Sequence, residues 1–462
     1  MARIQSKQRR QYRRGFSPQT ETGLGSGSSD APVPRRSRNQ AQTLIRLLLW
    51  GYIVLLIFDG ALRKWFVPAL SDVFLVSRIP VMLAIYALAF QSRLFVVNGF
   101  VIGAALLATV TFPLGVIAHG SPVVATYGLL VNFLPIPLIF IIPKVFDRDD
   151  VEKVGLFFLY LVLPMTLLIG LQFYAPQSAW VNRSVGGVEG AGFDGALGRF
   201  RPPGTFSFIT GVAQFYTLAF AFFLAQYVNR KTLPQWLLLT LGAAFVMAIY
   251  GSISRLLAIS VAVVFVACVA GLAINGRKMH SIFTVGLALI GCFAIASQFT
   301  YFSDGFDTFM ARWEQAKGGE DGSVEEAIIG RVVGDFTHPF TYADYFDLIG
   351  SGLGIGTNIG AKFTTGSMGF TVGEGEWSRI IGELGILFGA LYIVYRIALT
   401  AFLGLFALSS LRRNNLLPWL LWASGAFTIV SGQWGQQTTN GFVILTAGLV
   451  LAAGRDNAQK RK

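Results

Sequence analysis

Apolar residues in this chain run in unbroken blocks, and the polar positions are confined to the gaps between them. Twelve blocks stand out, at roughly 44–62, 73–90, 96–118, 123–142, 154–174, 208–228, 235–250, 256–274, 281–298, 381–408, 415–431 and 440–453. Most approach the ~20 residues that a helix needs to cross the hydrocarbon of a bilayer. The blocks at 235–250 and 440–453 are short, which leaves eleven or thirteen crossings as alternatives. A membrane-spanning barrel would instead alternate apolar and polar positions. The pattern predicts an all-α membrane protein of about twelve transmembrane helices.

Composition agrees: the chain is 53% hydrophobic and 13% charged, where a soluble protein carries about a quarter charged residues. Lys and Arg in short connections set orientation. With the N-terminus in the cytoplasm, inner connections hold Arg93; Lys144, Arg148 and Lys153; Arg230 and Lys231; Arg277 and Lys278; and Arg412 and Arg413. The expected organisation is a basic cytoplasmic tail (1–43), nine helices (44–298) with an extracytoplasmic loop at 175–207, a large extracytoplasmic loop (299–380), three helices (381–453) and a cytoplasmic tail (454–462). Residues 1–43 supply much of the net charge of +13 and read as a disordered segment held on anionic lipid headgroups, each cation contributing ~1 kcal/mol. That reading is preferred to nucleic-acid binding. The first apolar block is too long for a removable signal peptide and lacks a small-residue cleavage site. Cys268 and Cys292 fall inside apolar blocks, and His119, His280 and His338 are far apart, so no disulfide framework or metal site is implied.

Chemistry is concentrated in the outward connections. In the loop at 175–207, a glycine-rich stretch leads into Arg199-Phe-Arg201-Pro202-Pro203-Gly204, where the prolines hold the chain extended. Arg199 and Arg201 read either as snorkelling to headgroups or as a fork for phosphate oxygens, which guanidinium suits. Arg255, in a short turn between two apolar blocks, reads as a binding residue or as a structural partner of a carboxylate such as Asp59. In the loop at 299–380, Phe306, Phe309, Met310 and Trp313 form a helical stripe, either lying in the membrane interface or packed on the bundle. Ile328 to Phe336 predicts a second short helix. Glu376, Arg379 and Glu383 are three and four residues apart, so a helix puts them on one face. They form either a self-neutralising ion-pair cluster or a site in which a carboxylate accepts a proton. The Gly-x-Gly run at 350–356 fails the dinucleotide-binding register.

In their order, these elements resemble the O-antigen polymerase and O-antigen ligase family of bacterial envelope glycosyltransferases. The resemblance rests on Arg201-Pro-Pro-Gly-Thr-Phe206, Ser252-Ile-Ser-Arg255, Gly352-Leu-Gly-Ile-Gly-Thr357 and Glu383-Leu-Gly385, and covers roughly 195–400. Asp59-Gly-Ala-Leu-Arg-Lys-Trp65 looks like the opening of a polymerase-like subgroup. The resemblance implies transfer of a glycan from an undecaprenyl-diphosphate carrier at the outer face of the bacterial inner membrane, in O-antigen or exopolysaccharide assembly. It implies diphosphate binding by Arg199 or Arg201 and by Arg255, to which Arg379 is added here, with no cofactor or divalent metal needed. A chain-length regulator or flippase is an expected partner. Where many ligases have a His-Asn pair ahead of the Glu-Leu-Gly element, this chain has Glu374-Gly375, which favours a polymerase over a ligase that delivers glycan to lipid A-core or protein. Glu374 or Glu376 is the expected acceptor-activating base, with His338 a weaker candidate. A secondary transporter or anion channel would also bury arginines, but no convincing repeat relates the two halves. A scaffold organising an envelope assembly would tolerate loss of the loop charges.

Overall fold

The computed structural model describes residues 35–190, 192–229, 233–275, 279–317, 348–366 and 375–455. The expected short helix at Ile328–Phe336, His338 and Glu374 lie outside the described residues. Among those described, regular structure is helical apart from one isolated bridge between Asp194 and Phe200.

Each of the twelve apolar blocks is occupied by helix. They are α1 (Arg35–Ala61), α2 (Ser71–Leu75) with α3 (Arg78–Gln91), α4 (Gly99–His119), α5 (Pro122–Asn132) with α6 (Ile136–Val145), α7 (Arg148–Tyr174), α8 (Ile209–Asn229), α9 (Gln235–Gly251), α10 (Arg255–Asn275), α11 (Met279–Ala296), and three further helices near the C-terminus. Those three are α14 (Glu376–Arg412), α15 (Leu417–Ser431) and α16 (Gln437–Ala453). The amphipathic α12 (Thr300–Lys317) and short α13 (Asn358–Thr365) lie in the connection between α11 and α14. Among the described residues, eight helical spans are long and apolar enough to cross a membrane; α9, α15 and α16 are shorter apolar helices.

Polar side chains fix where helices begin. Asn98 accepts a hydrogen bond from Val101 N at the start of α4, and Asp147 and Asp150 form a reciprocal capping box at the start of α7. Hydrophobic all round, α8 is correspondingly the central helix, with 89% of its apolar window buried. Phe158, Phe215, Phe206 and Phe442 pack in a row through this core with ring centroids 5.4–6.0 Å apart from one neighbour to the next. At one end of the bundle, Arg46 binds Val145 O and Asp150, and Asn415 binds Ala453 O. At the other end, the connections after α1, α7 and α9 meet α12.

The crossing predicted at 381–408 belongs to a 37-residue helical element that reverses at Gly385 (φ 74°, ψ 171°). A straight helix would place Glu376 and Arg396 about 30 Å apart, yet their side chains are 2.6 Å apart. The arm before Gly385 therefore folds back along the arm after it, and a Cβ on Gly389 would touch the backbone of Ile381. The reversal strands the carbonyls of Gly382 and Glu383, which accept from Ser351 N (2.8 Å) and Gly352 N (2.9 Å). The Gly-x-Gly segment is thus the strap that completes the kink, with Gly350, Gly352 and Gly354 all at positive φ.

Gly385→Ala is expected to destabilise the protein by about 1–3 kcal/mol or more, because the backbone conformation excludes a side chain and its Cβ would lie 2.2 Å from Leu348 O. Gly286→Ala, in open space on α11, serves as the control and is expected to be unchanged or more stable by up to about 1 kcal/mol. Thermal unfolding in detergent distinguishes the two.

Candidate functional site

The arginine-bearing loop closes as a small hairpin. Leu197 (φ 51°) and Gly198 (φ 72°) form its tip, Arg199 N bonds to Ala196 O at 2.9 Å, and Gly195 N bonds to Arg199 O at 2.9 Å. Two consecutive positive φ values match the twist of a tight hairpin. Half-buried Arg199 lies over the rings of Phe173 (4.9 Å) and Tyr174 (5.1 Å) and donates to Phe173 O. Arg201 donates through Nε to Asp194 O at 3.1 Å and covers Phe193.

The Ser-Ile-Ser-Arg turn meets this hairpin from below. A Cβ on Gly195 would sit 2.9 Å from Ile253 Cδ1. Ile253 has φ 52°, a conformation that a β-branched residue rarely adopts. Ser254 Oγ accepts from Leu257 N (3.3 Å), capping α10 and leaving Arg255 as its first residue. A cation at a helix N-terminus opposes the macrodipole, so helix stability does not explain the choice of arginine there. Arg255 lies 5.6 Å from the Trp313 ring, and Asp59, named as a carboxylate it could pair with, faces Arg63 at 3.8 Å.

Helix α12 joins these pieces. Its apolar stripe packs on the bundle, with Phe302, Phe306 and Phe309 surrounding the Tyr250 ring at 5.1–5.4 Å. That packing points Arg312 at the hairpin, where Nη1 donates to both Asp194 O (3.0 Å) and Gly195 O (2.9 Å). Its neighbour Trp313 supplies the ring beside Arg255. Arg199, Arg201 and Arg255 are thereby gathered around a single hairpin. From the sequence Trp313 reads as part of the apolar stripe and Arg312 as its polar neighbour; their place at the hairpin depends on how α12 packs.

Glu376 and Arg379 occupy a separate cluster. Arg379 donates to Glu376 (2.8 and 2.9 Å), Glu383 (2.8 Å) and Asn132 (3.1 Å). Arg396, entirely buried, donates to Glu376 (2.6 Å), Ile429 O and Gly432 O, with the Trp434 ring 4.5 Å away. Trp434 N also donates to Glu376. The Glu383 carboxylate accepts from Gly354 N (3.0 Å) and Gly356 N (2.9 Å). The Gly-x-Gly amides thus form a nest of the kind that binds anions, but its occupant is an internal carboxylate. Two carboxylates and two guanidiniums cancel in a closed site where Glu376 is 2% and Arg379 4% exposed. Glu376 and Arg379, the expected base and diphosphate ligand, are engaged here with each other and with Arg396 and Glu383, which is the arrangement of the ion-pair reading.

The Asp59–Trp65 motif interlocks with the loop after Arg201. Lys64 Nζ donates to Gly204 O (2.6 Å) and Phe206 O (2.9 Å), and Thr205 Oγ1 donates to Ile57 O (2.7 Å). A Cβ on Gly60 would lie 2.5 Å from Ser207 N, so this approach requires glycine. Two of the motifs that carried the resemblance are therefore one structural unit.

No protein-family model matches the chain, and no curated protein matches it.

Removing one partner of a buried ion pair costs about 3–5 kcal/mol. Glu376→Gln is expected to lower stability by about that much, and Glu376→Gln combined with Arg396→Gln to cost less than the sum of the single changes. A double-mutant cycle on thermal unfolding checks it. Intact stability with lost activity in Glu376→Gln would instead mark a catalytic carboxylate.

Proposed function

We propose that this chain is a polymerase-type glycosyltransferase that joins undecaprenyl-diphosphate-linked glycan units at the outer face of a bacterial inner membrane. The observation that carries this reading is the gathering of Arg199, Arg201 and Arg255 around one hairpin, tied to α12 through Arg312 and Trp313. Three guanidiniums at the boundary of an apolar bundle suit a diphosphate that is attached to a lipid and must stay at the membrane surface.

In the reaction, an acceptor sugar hydroxyl attacks the anomeric carbon of the donor. The bond from that carbon to the diphosphate oxygen breaks, and the electron pair leaves with the lipid diphosphate. The arginines stabilise the charge that develops on this leaving group, an electrostatic contribution largest where water is scarce. The acceptor proton passes to a base. Since Glu376 is enclosed, that role is assigned to Glu374 or His338.

The test is made in the native host. Deleting the gene is expected to remove long surface polysaccharide while single repeat units persist; accumulation of lipid-carried long chains would mark a ligase. Complementation with Arg201→Ala or Arg255→Ala is expected to reduce long-chain product by about 100-fold, the scale for loss of one oxyanion donor. Normal polysaccharide length and amount in both variants, read by gel electrophoresis, would overturn the assignment.

A further inference from the structure

Three helices meet at one small cavity on the end of the bundle away from the arginine hairpin. Helix α7 starts there at Arg148 and runs to Tyr174, whose ring lies beneath Arg199 at the far end. Helix α8 finishes at the cavity with Asn229, and α15 starts at it with Leu417. Both α7 and α8 are long and apolar enough to cross a membrane, so their meeting point lies where such helices leave the hydrocarbon for the headgroups. Phe222 and Leu417 give the cavity an apolar wall, and Arg148, Glu152, Gln226 and Asn229 give it a polar one. Its volume is about 20 Å³, which holds one group the size of a water molecule.

One lining group is unsatisfied. Gln226 is 9% exposed, and its Oε1 is buried without a hydrogen-bond partner. An amide oxygen in that state is unfavourable, and a donor admitted to the cavity relieves it. The charges of the lining cancel, because Arg148 Nε donates to Glu152 Oε1 at 3.3 Å. A neutral lining offers no net attraction to a lone cation or a lone anion. It suits an occupant that carries both charges, with donors for Gln226 and Glu152 and an acceptor for the Arg148 guanidinium. The volume further requires a donor no larger than water. A primary ammonium meets that limit and brings three N–H groups; a trimethylated ammonium is larger and brings none. At headgroup depth, the simplest molecule joining a primary ammonium to a phosphate is an ethanolamine phosphate.

We propose that this cavity binds the ammonium of an ethanolamine phosphate, supplied either as a phospholipid headgroup or as the free ester. Gln226 Oε1 and Glu152 accept from the nitrogen, and Arg148 meets the phosphate at the rim. The site is separate from the arginine hairpin and does not rest on the glycosyl-transfer reading. Its occupant ties the start of α7 to the end of α8.

Full-length protein in nanodiscs, unfolded thermally, provides the test, with a disc of phosphatidylcholine alone as the baseline. At a level a hundredfold above half-saturation, the occupant is expected to raise the unfolding temperature by about 3 °C. Phosphatidylethanolamine in the disc producing that rise identifies a lipid headgroup; dissolved O-phosphoethanolamine producing it identifies the free ester. Gln226→Met removes the response. Gln226→Glu keeps it, because a carboxylate accepts from an ammonium but would repel an anion. Gln214→Leu also keeps it, being on the same helix about 18 Å away with an Oε1 that is likewise unpartnered. A wild-type protein indifferent to both ethanolamine forms overturns the proposal. So does a rise that survives in Gln226→Met, or one that is lost in a folded Gln226→Glu protein. The wild-type comparison can overturn the proposal even if neither Gln226 variant folds.

Discussion

The contact between Glu376 and Arg396 governs the C-terminal half of this molecule. Two side chains twenty residues apart along one apolar stretch meet because the backbone reverses at Gly385. The reversal frees two carbonyls, the Gly-x-Gly strap supplies the amides that satisfy them, and the amides that follow embrace Glu383. Hydrogen bonds lost by breaking the helix are thus restored from a distant segment, as they must be where water is excluded. Four buried charges then hold the strap, the folded-back arm, Asn132 of α5 and the turn at Trp434 in one register.

Electrostatics divides the buried and half-buried arginines into different kinds. Arg379 and Arg396 are matched by carboxylates and belong to the architecture. Arg199 and Arg201 rest against carbonyls and aromatic faces, which orient a guanidinium. Arg312 ties the hairpin to α12 through the Asp194 and Gly195 carbonyls, as Arg396 ties the fold-back through Glu376. The carboxylate-paired arginines hold the architecture together, and those of the hairpin carry the functional reading.

Much of the helical architecture was legible in the sequence, because burial in hydrocarbon demands long unbroken apolar runs that few other structures would tolerate. The shared face of Glu376, Arg379 and Glu383 was equally readable from a three-and-four spacing. The reversal at Gly385 was not: Glu-Leu-Gly continues a helical pattern, and only contact with Leu348 and Gly350 makes the turn necessary. Arg396 announced its need for a partner by sitting in an apolar run, but its distance from Glu376 along the chain hid the answer. Lys64 was visible within a motif, yet its acceptors are main-chain atoms of residues 204 and 206, which no side-chain pattern records. The arginines of the hairpin were readable as candidates, whereas Arg312 and Trp313, which support it, depend on how α12 packs.

The stitch between Lys64 and the carbonyls at Gly204 and Phe206 has a consequence for inheritance. An ammonium that reads only peptide oxygens is blind to side-chain identity, so its own demand falls on backbone position alone; Gly204 is held instead by its positive φ and Phe206 by its place among the aromatic rings, while the lysine and the tightly approached Gly60 are fixed by the stitch itself. Descendants of such a protein would share a geometry held by a few fixed letters scattered among many free ones, and would grow hard to recognise as kin long before their shape diverged.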